Sequence, residues 1–181
     1  MARLPELKES DLTPAQRRVH DMIVSGPRGN VPGPLAVWLR RPDLAERAQA
    51  LGQYCRYDSS LSPRLSELAI LLTARHWASD YEWWAHEKHA RAAGLSDAII
   101  EAVRNKRQPA FDHDDEAVVH EVVTTLYREK ALSDRLYERG MTVLGESGLV
   151  DLIGVMGYYA LISMTINAFD VRPPDGAACF D

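Results

Sequence analysis

The stretch that decides the fold is Ser62–Asp97, SPRLSELAILLTARHWASDYEWWAHEKHARAAGLSD. Ser62 followed by Pro63 opens a helix, because the serine oxygen caps free amides and proline suits the first helical position. Leu65, Leu68, Ala69, Ile70, Leu71 and Leu72 then make a helix that is apolar nearly all the way round, so it belongs in the centre of a fold. A second helix is expected from about Asp80 to Ala93, stopped by Gly94. Only a turn separates the two, so they can face each other.

Outward from this pair, helix signals run almost end to end. Thr13 before Pro14 opens a helix whose apolar face holds Val19, Met22 and Ile23 and which stops at Gly26. GPRGNVPGP, Gly26–Pro34, is a long loop of turn residues. Pro42 and Asp43 open a helix through Leu44, Ala48, Leu51 and Cys55, and Ser96 caps a short one through Val103. After the loop NKRQPAFDHDD, the segments DEAVVHEVVTTLYREK and SDRLYERGMTVLG read as amphipathic helices, and Ser147 opens a last apolar one. The β-branched residues of Val118–Thr125 suit a strand as well, but segment length and the flanking caps favour helix. With no strand pair joined by a hairpin turn, the expected class is all-α.

The 181 residues, 46% hydrophobic and 26% charged, fit one domain over 1–181: N-terminal helices to 60, the central pair over 61–105, and C-terminal helices over 113–170. A net charge of −5 offers no basic patch, so nucleic acid is not an expected partner. The opening MARLPELKESDLTPAQ lacks a secretory apolar core, and a cytoplasmic location is expected. Cys55 and Cys179 form no Cys-x-x-Cys and are expected as ordinary reduced thiols. Leu152–Phe169 has no charged residue and is about as long as a short membrane span. Its Gly154, Gly157, Ser163, Thr165 and Asn167, and the lack of lysine or arginine at its start, point instead to a helix buried on most sides, in part by a partner subunit, with no membrane role.

Glu82 and His86 stand four apart, so on a helix they share one face. Trp83 and Trp84 flank them, and an indole beside an ionisable group excludes water and favours the neutral form. That is how general acids and bases are tuned. Glu67 is the second anomaly, a carboxylate in the most apolar helix, where it needs a partner or a proton. Arg64 and Arg75 are candidate ion-pair partners along its own helix; facing the Glu82 and His86 side of the next helix is the other possibility.

These residues carry a resemblance. Leu61–Val103 resembles the signature region of the carboxymuconolactone decarboxylase and alkylhydroperoxidase D superfamily, and Gly33–Arg64 and Leu149–Phe169 resemble its flanking segments. The peroxidase branch has a Cys-x-x-Cys with a histidine four residues after the second cysteine and a glutamate upstream. Aligned from Gly94, Ser79 and Glu82 occupy the cysteine places, His86 the histidine place and Glu67 the upstream glutamate. Thiol peroxidase chemistry needs a thiolate and a resolving partner, so it has no means at this site. The resemblance implies an all-helical domain with a central helical hairpin, assembled as a trimer or hexamer, nearer the decarboxylase branch and without a cofactor.

The expected function is a cofactor-independent acid/base enzyme, a decarboxylase or related lyase, acting on a small organic acid or lactone. Glu67, Glu82 and His86 are its candidate catalytic residues, and Trp83, Tyr158 and Tyr159 its candidate substrate contacts. The bland alternatives are a surface pair for Glu82 and His86 and core packing for the tryptophans. Two glutamates and a histidine also suit a divalent ion, but no second histidine has suitable spacing and the resemblance implies no metal. A peroxidase-type oxidoreductase and a non-catalytic ligand-binding oligomer are the rival functions.

Overall fold

The computed structural model describes residues 3–180, and among these every regular element is helical. In chain order they are α1 (Pro14–Ser25), α2 (Gly33–Trp38), α3 (Pro42–Gln53), α4 (Pro63–His76), α5 (Asp80–Ala92), α6 (Asp97–Arg104), α7 (Asp114–Glu129) and α8 (Asp134–Phe169). A single 3-10 turn, Glu9–Asp11, precedes α1, and one turn of π-helix, Tyr54–Asp58, follows α3. The expected caps are in place. Thr13 forms a reciprocal capping box with Gln16, and Ser62, Ser96 and Ser133 each accept from the backbone N–H three residues on. The β-branched run of Val118–Thr125 lies inside α7, where Val118, Val119, Val122 and Val123 are fully buried.

Helix α4 is the hub, packed against α5, α7 and α8. Every residue from Leu65 to Ala74 is buried, as an all-round apolar helix requires. The turn from Trp77 to Ser79 reverses the chain, with Ser79 N–H donating to the Ala74 carbonyl and Ala78 in the left-handed region. This brings α5 back along α4, the central hairpin on which the site is built. Asn167 closes the same end by donating to the Trp77 carbonyl at 2.7 Å.

Helix α8 has the length and apolar content of a membrane span, but its inner face is occupied by α4 and α7. It breaks at Gly145, whose φ of 73° and ψ of 172° are not helical, two residues before the expected opening at Ser147. Between α1 and α2 the loop turns back over the α5 N-terminal half. Gly33, with φ of 45°, makes this possible: a Cβ there would stand 2.6 Å from the Tyr81 ring.

Candidate active site

The α4–α5 hairpin places Glu67 opposite Glu82 and His86. Nδ1 of His86 lies 2.7 Å from Glu67 Oε2, and Nε2 lies 3.0 Å from Glu82 Oε1. All three side chains are buried, His86 to 3% exposure. The arginines on the Glu67 helix are engaged elsewhere. Arg64 pairs with Asp115 at 2.8 Å and with Glu116, and Arg75 donates to the Arg104 carbonyl at 2.6 Å. The imidazole is therefore the partner of Glu67, and it bridges two carboxylates from two helices.

Burial pushes His86 toward the neutral form, but the charges of Glu67 and Glu82 and their hydrogen bonds outweigh it and raise the group to about 9. His86 is thus an imidazolium at neutral pH, donating from both nitrogens. A folded-state value above the unfolded 6.5 stabilises the fold fully below that pH, and the contribution is lost as pH rises through about 9. Stability is expected to fall in that window by up to ~1.4 kcal/mol per pH unit. Urea midpoints across the interval check this; a flat wild-type profile, or an equal slope in His86→Gln, would show that the proton is not held there.

Two cavities flank this set. An inner recess of about 80 Å³ is lined by Glu82 and His86 together with Arg28, Arg56, Tyr158 and Tyr159. An outer bay of about 900 Å³ reaches Glu67 and is walled by Tyr57, Trp84, Lys88 and His89. Arg28, Pro32, Arg56, Tyr81 and Ala85 line both and form the boundary. His86 therefore links a carboxylate on the recess side to one on the bay side. A separate cavity of about 440 Å³ around His76 and Tyr127 shares no residue with the set.

The expected substrate contacts divide. Tyr158 and Tyr159 both line the recess although they are adjacent, with their rings 5.3 Å apart and edge to face. The Tyr159 ring stands edge-on to His86 at 5.1 Å. Burial raises the Tyr158 phenol to about 12 and Tyr159 well above its usual value, so both stay protonated donors. Trp83 does not join them. It is fully buried on the opposite side of α5, donates to Glu87 Oε2 at 3.0 Å, and packs against Arg104 and Phe180. Its indole lines neither cavity, and Trp84 is the one that reaches the bay.

On the pattern of α5 alone, His89 and Glu87 would read as solvent-facing. His89 instead accepts from Arg56 Nη2 at 3.2 Å, with burial and the nearby Arg56 charge lowering its proton affinity. Glu87 is a half-buried hub for Trp83, Arg91 and Arg104; burial pushes its carboxyl up, but the two guanidinium groups of Arg104 and Arg91 outweigh that and hold it below the usual carboxylate range. Arg28 and Arg56 were missed. The only local signal for Arg28 was its place in an unusually long loop, and Arg56 had none, because the π-turn that carries it, a feature often found at functional sites, emerges only in the folded chain. Among the described residues no group of three or more histidines, cysteines or acids is arranged to hold a metal ion.

No curated protein matches the sequence. A model of the carboxymuconolactone decarboxylase family matches residues 42–120, which run from the start of α3 through the hairpin into α7 and include Glu67, Glu82 and His86. Over this segment, somewhat less than half of the chain, the protein is similar to the carboxymuconolactone decarboxylase family.

Proposed function

We propose that the protein is a cofactor-independent acid/base enzyme, a decarboxylase or related lyase acting on a small organic acid or lactone. The observation that carries this reading is the buried Glu67–His86–Glu82 chain, with one carboxylate on each of two adjoining cavities. Both imidazolium N–H groups are taken, so the group that meets substrate is Glu82, through the oxygen His86 does not hold. In decarboxylation the carbon–carboxylate bond breaks, its electron pair moves onto the neighbouring carbonyl as an enolate, and carbon dioxide leaves. The carbon is then protonated through Glu82, whose carboxylate relays the Nε2 proton of the His86 imidazolium, and His86 is reprotonated by way of Glu67 from the bay. Tyrosine hydroxyls and guanidinium groups around the recess supply the preorganised donors an enolate oxygen needs.

A thiol route has little support. Ser79 and Glu82 stand where the peroxidase branch has cysteines, and neither cavity is lined by Cys55 or Cys179. Burial raises the Cys55 thiol to about 11 and raises Cys179 as well, which disfavours the reactive thiolate. The test is carbon dioxide release from carboxylated lactones, together with deuterium uptake from solvent at the carbon next to the carboxylate of small acids. Absence of both across a broad panel would overturn the reading in favour of a non-catalytic oligomer.

The reading includes self-association. Val150, Ile153 and Met164 are 67%, 44% and 43% exposed and share one uncharged face of α8 with Gly154, Gly157 and Leu161. An apolar stripe without charge suits a second copy of itself better than a charged partner. Val150→Glu with Ile153→Glu is expected to shift the particle mass by light scattering from a multiple of the chain to a single chain. An unchanged mass would sink this interface.

A further inference from the structure

Two buried donor groups on the recess wall have no partner of their own. Nε and Nη2 of Arg28 and the hydroxyl of Tyr158 are shielded from water and make no hydrogen bond. Tyr158 is 2% exposed. Buried polar groups are almost always satisfied, so donors left open toward a cavity call for a ligand. Both groups line the recess and are near neighbours, since a Cβ on Gly52 would stand 2.1 Å from the Tyr158 hydroxyl and 2.8 Å from Arg28 Nη2.

Charge specifies what that ligand carries. The recess brings the guanidinium groups of Arg28 and Arg56 and the His86 imidazolium against one carboxylate, Glu82, while Glu67 and Lys88 offset each other on the bay side, so the recess is net positive and suits an anion. Glu82 on the same wall disfavours a second negative charge on that ligand. Size points the same way, since about 80 Å³ holds a carboxylate and its attached carbon but no ring. The guanidinium fork matches a carboxylate in plane and spacing.

Resting on the acid/base reading of Glu82 and His86, we infer that the recess is a carboxylate subsite, in which Arg28 and Tyr158 clasp the head of the substrate. The carbon beside that carboxylate then lies at Glu82, and the rest of the molecule occupies the outer bay against Tyr57, Trp84 and Lys88. Arg28 is a specificity-determining residue. It reaches the site from the Gly26–Pro32 loop, outside the segment that matches the family, so members that differ in this loop would differ in the head group they accept.

The experiment is calorimetric titration of the full chain with acetate, acetamide and inorganic phosphate at constant ionic strength. Acetate should bind saturably, acetamide should not bind in the same range, and phosphate should bind at least tenfold more weakly. Arg28→Gln should weaken acetate roughly tenfold or more and Tyr158→Phe severalfold, with Arg28→Lys in between. Arg28 lies in a loop and makes no ion pair, so its variants are expected to melt as wild type does, which a thermal scan verifies. No acetate binding, equal binding to Arg28→Gln, or preference for acetamide or phosphate would each overturn the subsite. The two readings fail separately. Turnover that needs Glu82 with acetate binding that ignores Arg28 removes the subsite alone; acetate binding that needs Arg28 with turnover indifferent to Glu82→Gln removes the acid/base roles alone.

Discussion

Glu82→Gln is expected to lower turnover by about 10²–10⁴-fold, the usual contribution of a positioned acid or base, while the protein stays folded. The amide keeps the size of the carboxylate and leaves His86 with Glu67 at 2.7 Å. His86→Ala should also abolish turnover, but with a second consequence. Removing the imidazolium leaves two buried carboxylates facing each other without a counter-charge, and breaking a buried pair in this way costs about 3–5 kcal/mol. Against a typical domain stability of about 5–15 kcal/mol that is a large fraction. Steady-state rates and urea midpoints on the same samples separate the two effects. Wild-type turnover in Glu82→Gln would eliminate its role as the group that meets substrate.

The second large effect is expected from a methyl group. Gly52 lies buried in the last turn of α3, and a Cβ there would meet the Tyr158 hydroxyl at 2.1 Å and its ring carbon at 2.3 Å. Tyr158 cannot yield freely, because its ring packs edge-on against Trp38 at 6.2 Å and against Tyr159. Overpacking of this kind costs about 1–3 kcal/mol. For a chain of this size Gly52→Ala should lower the melting temperature by about 2–4 °C per kcal/mol lost. The same shift moves both donors of the recess, so activity should fall more than stability alone explains. An unaltered melting temperature and rate would show that the close approach is not maintained in solution.

The secondary structure was legible because its determinants are local. Thr13, Ser62, Ser96 and Ser133 cap the amides next to them, and Pro14 and Pro63 sit where a missing N–H costs nothing. Even the β-branched stretch of α7 was resolved by length and caps. The family signature was legible for the same reason, since it lies in one continuous hairpin. Trp83 and Trp84 show where local reading stops. Both satisfy the pattern of an apolar residue beside the reactive pair, and only the packing of α5 against α4, with Phe180 and Arg104 on the far side, decides which one faces the core.

By itself the sequence determined an all-helical chain, a central helix with one anomalous carboxylate, and an acid and a base one turn apart on the next helix. Periodicity and capping act over a few residues, so one chain suffices to read them. The tertiary structure alone decided that Glu67 pairs with His86 rather than with Arg64 or Arg75. It also decided that both ring nitrogens are occupied, and that Arg28, Arg56 and Tyr158 close the recess. Apart from the pair Glu82 and His86, one turn apart on α5, those contacts join residues far apart in the chain, and nothing in their local spacing records the distance between them once α3, α5 and α8 have packed.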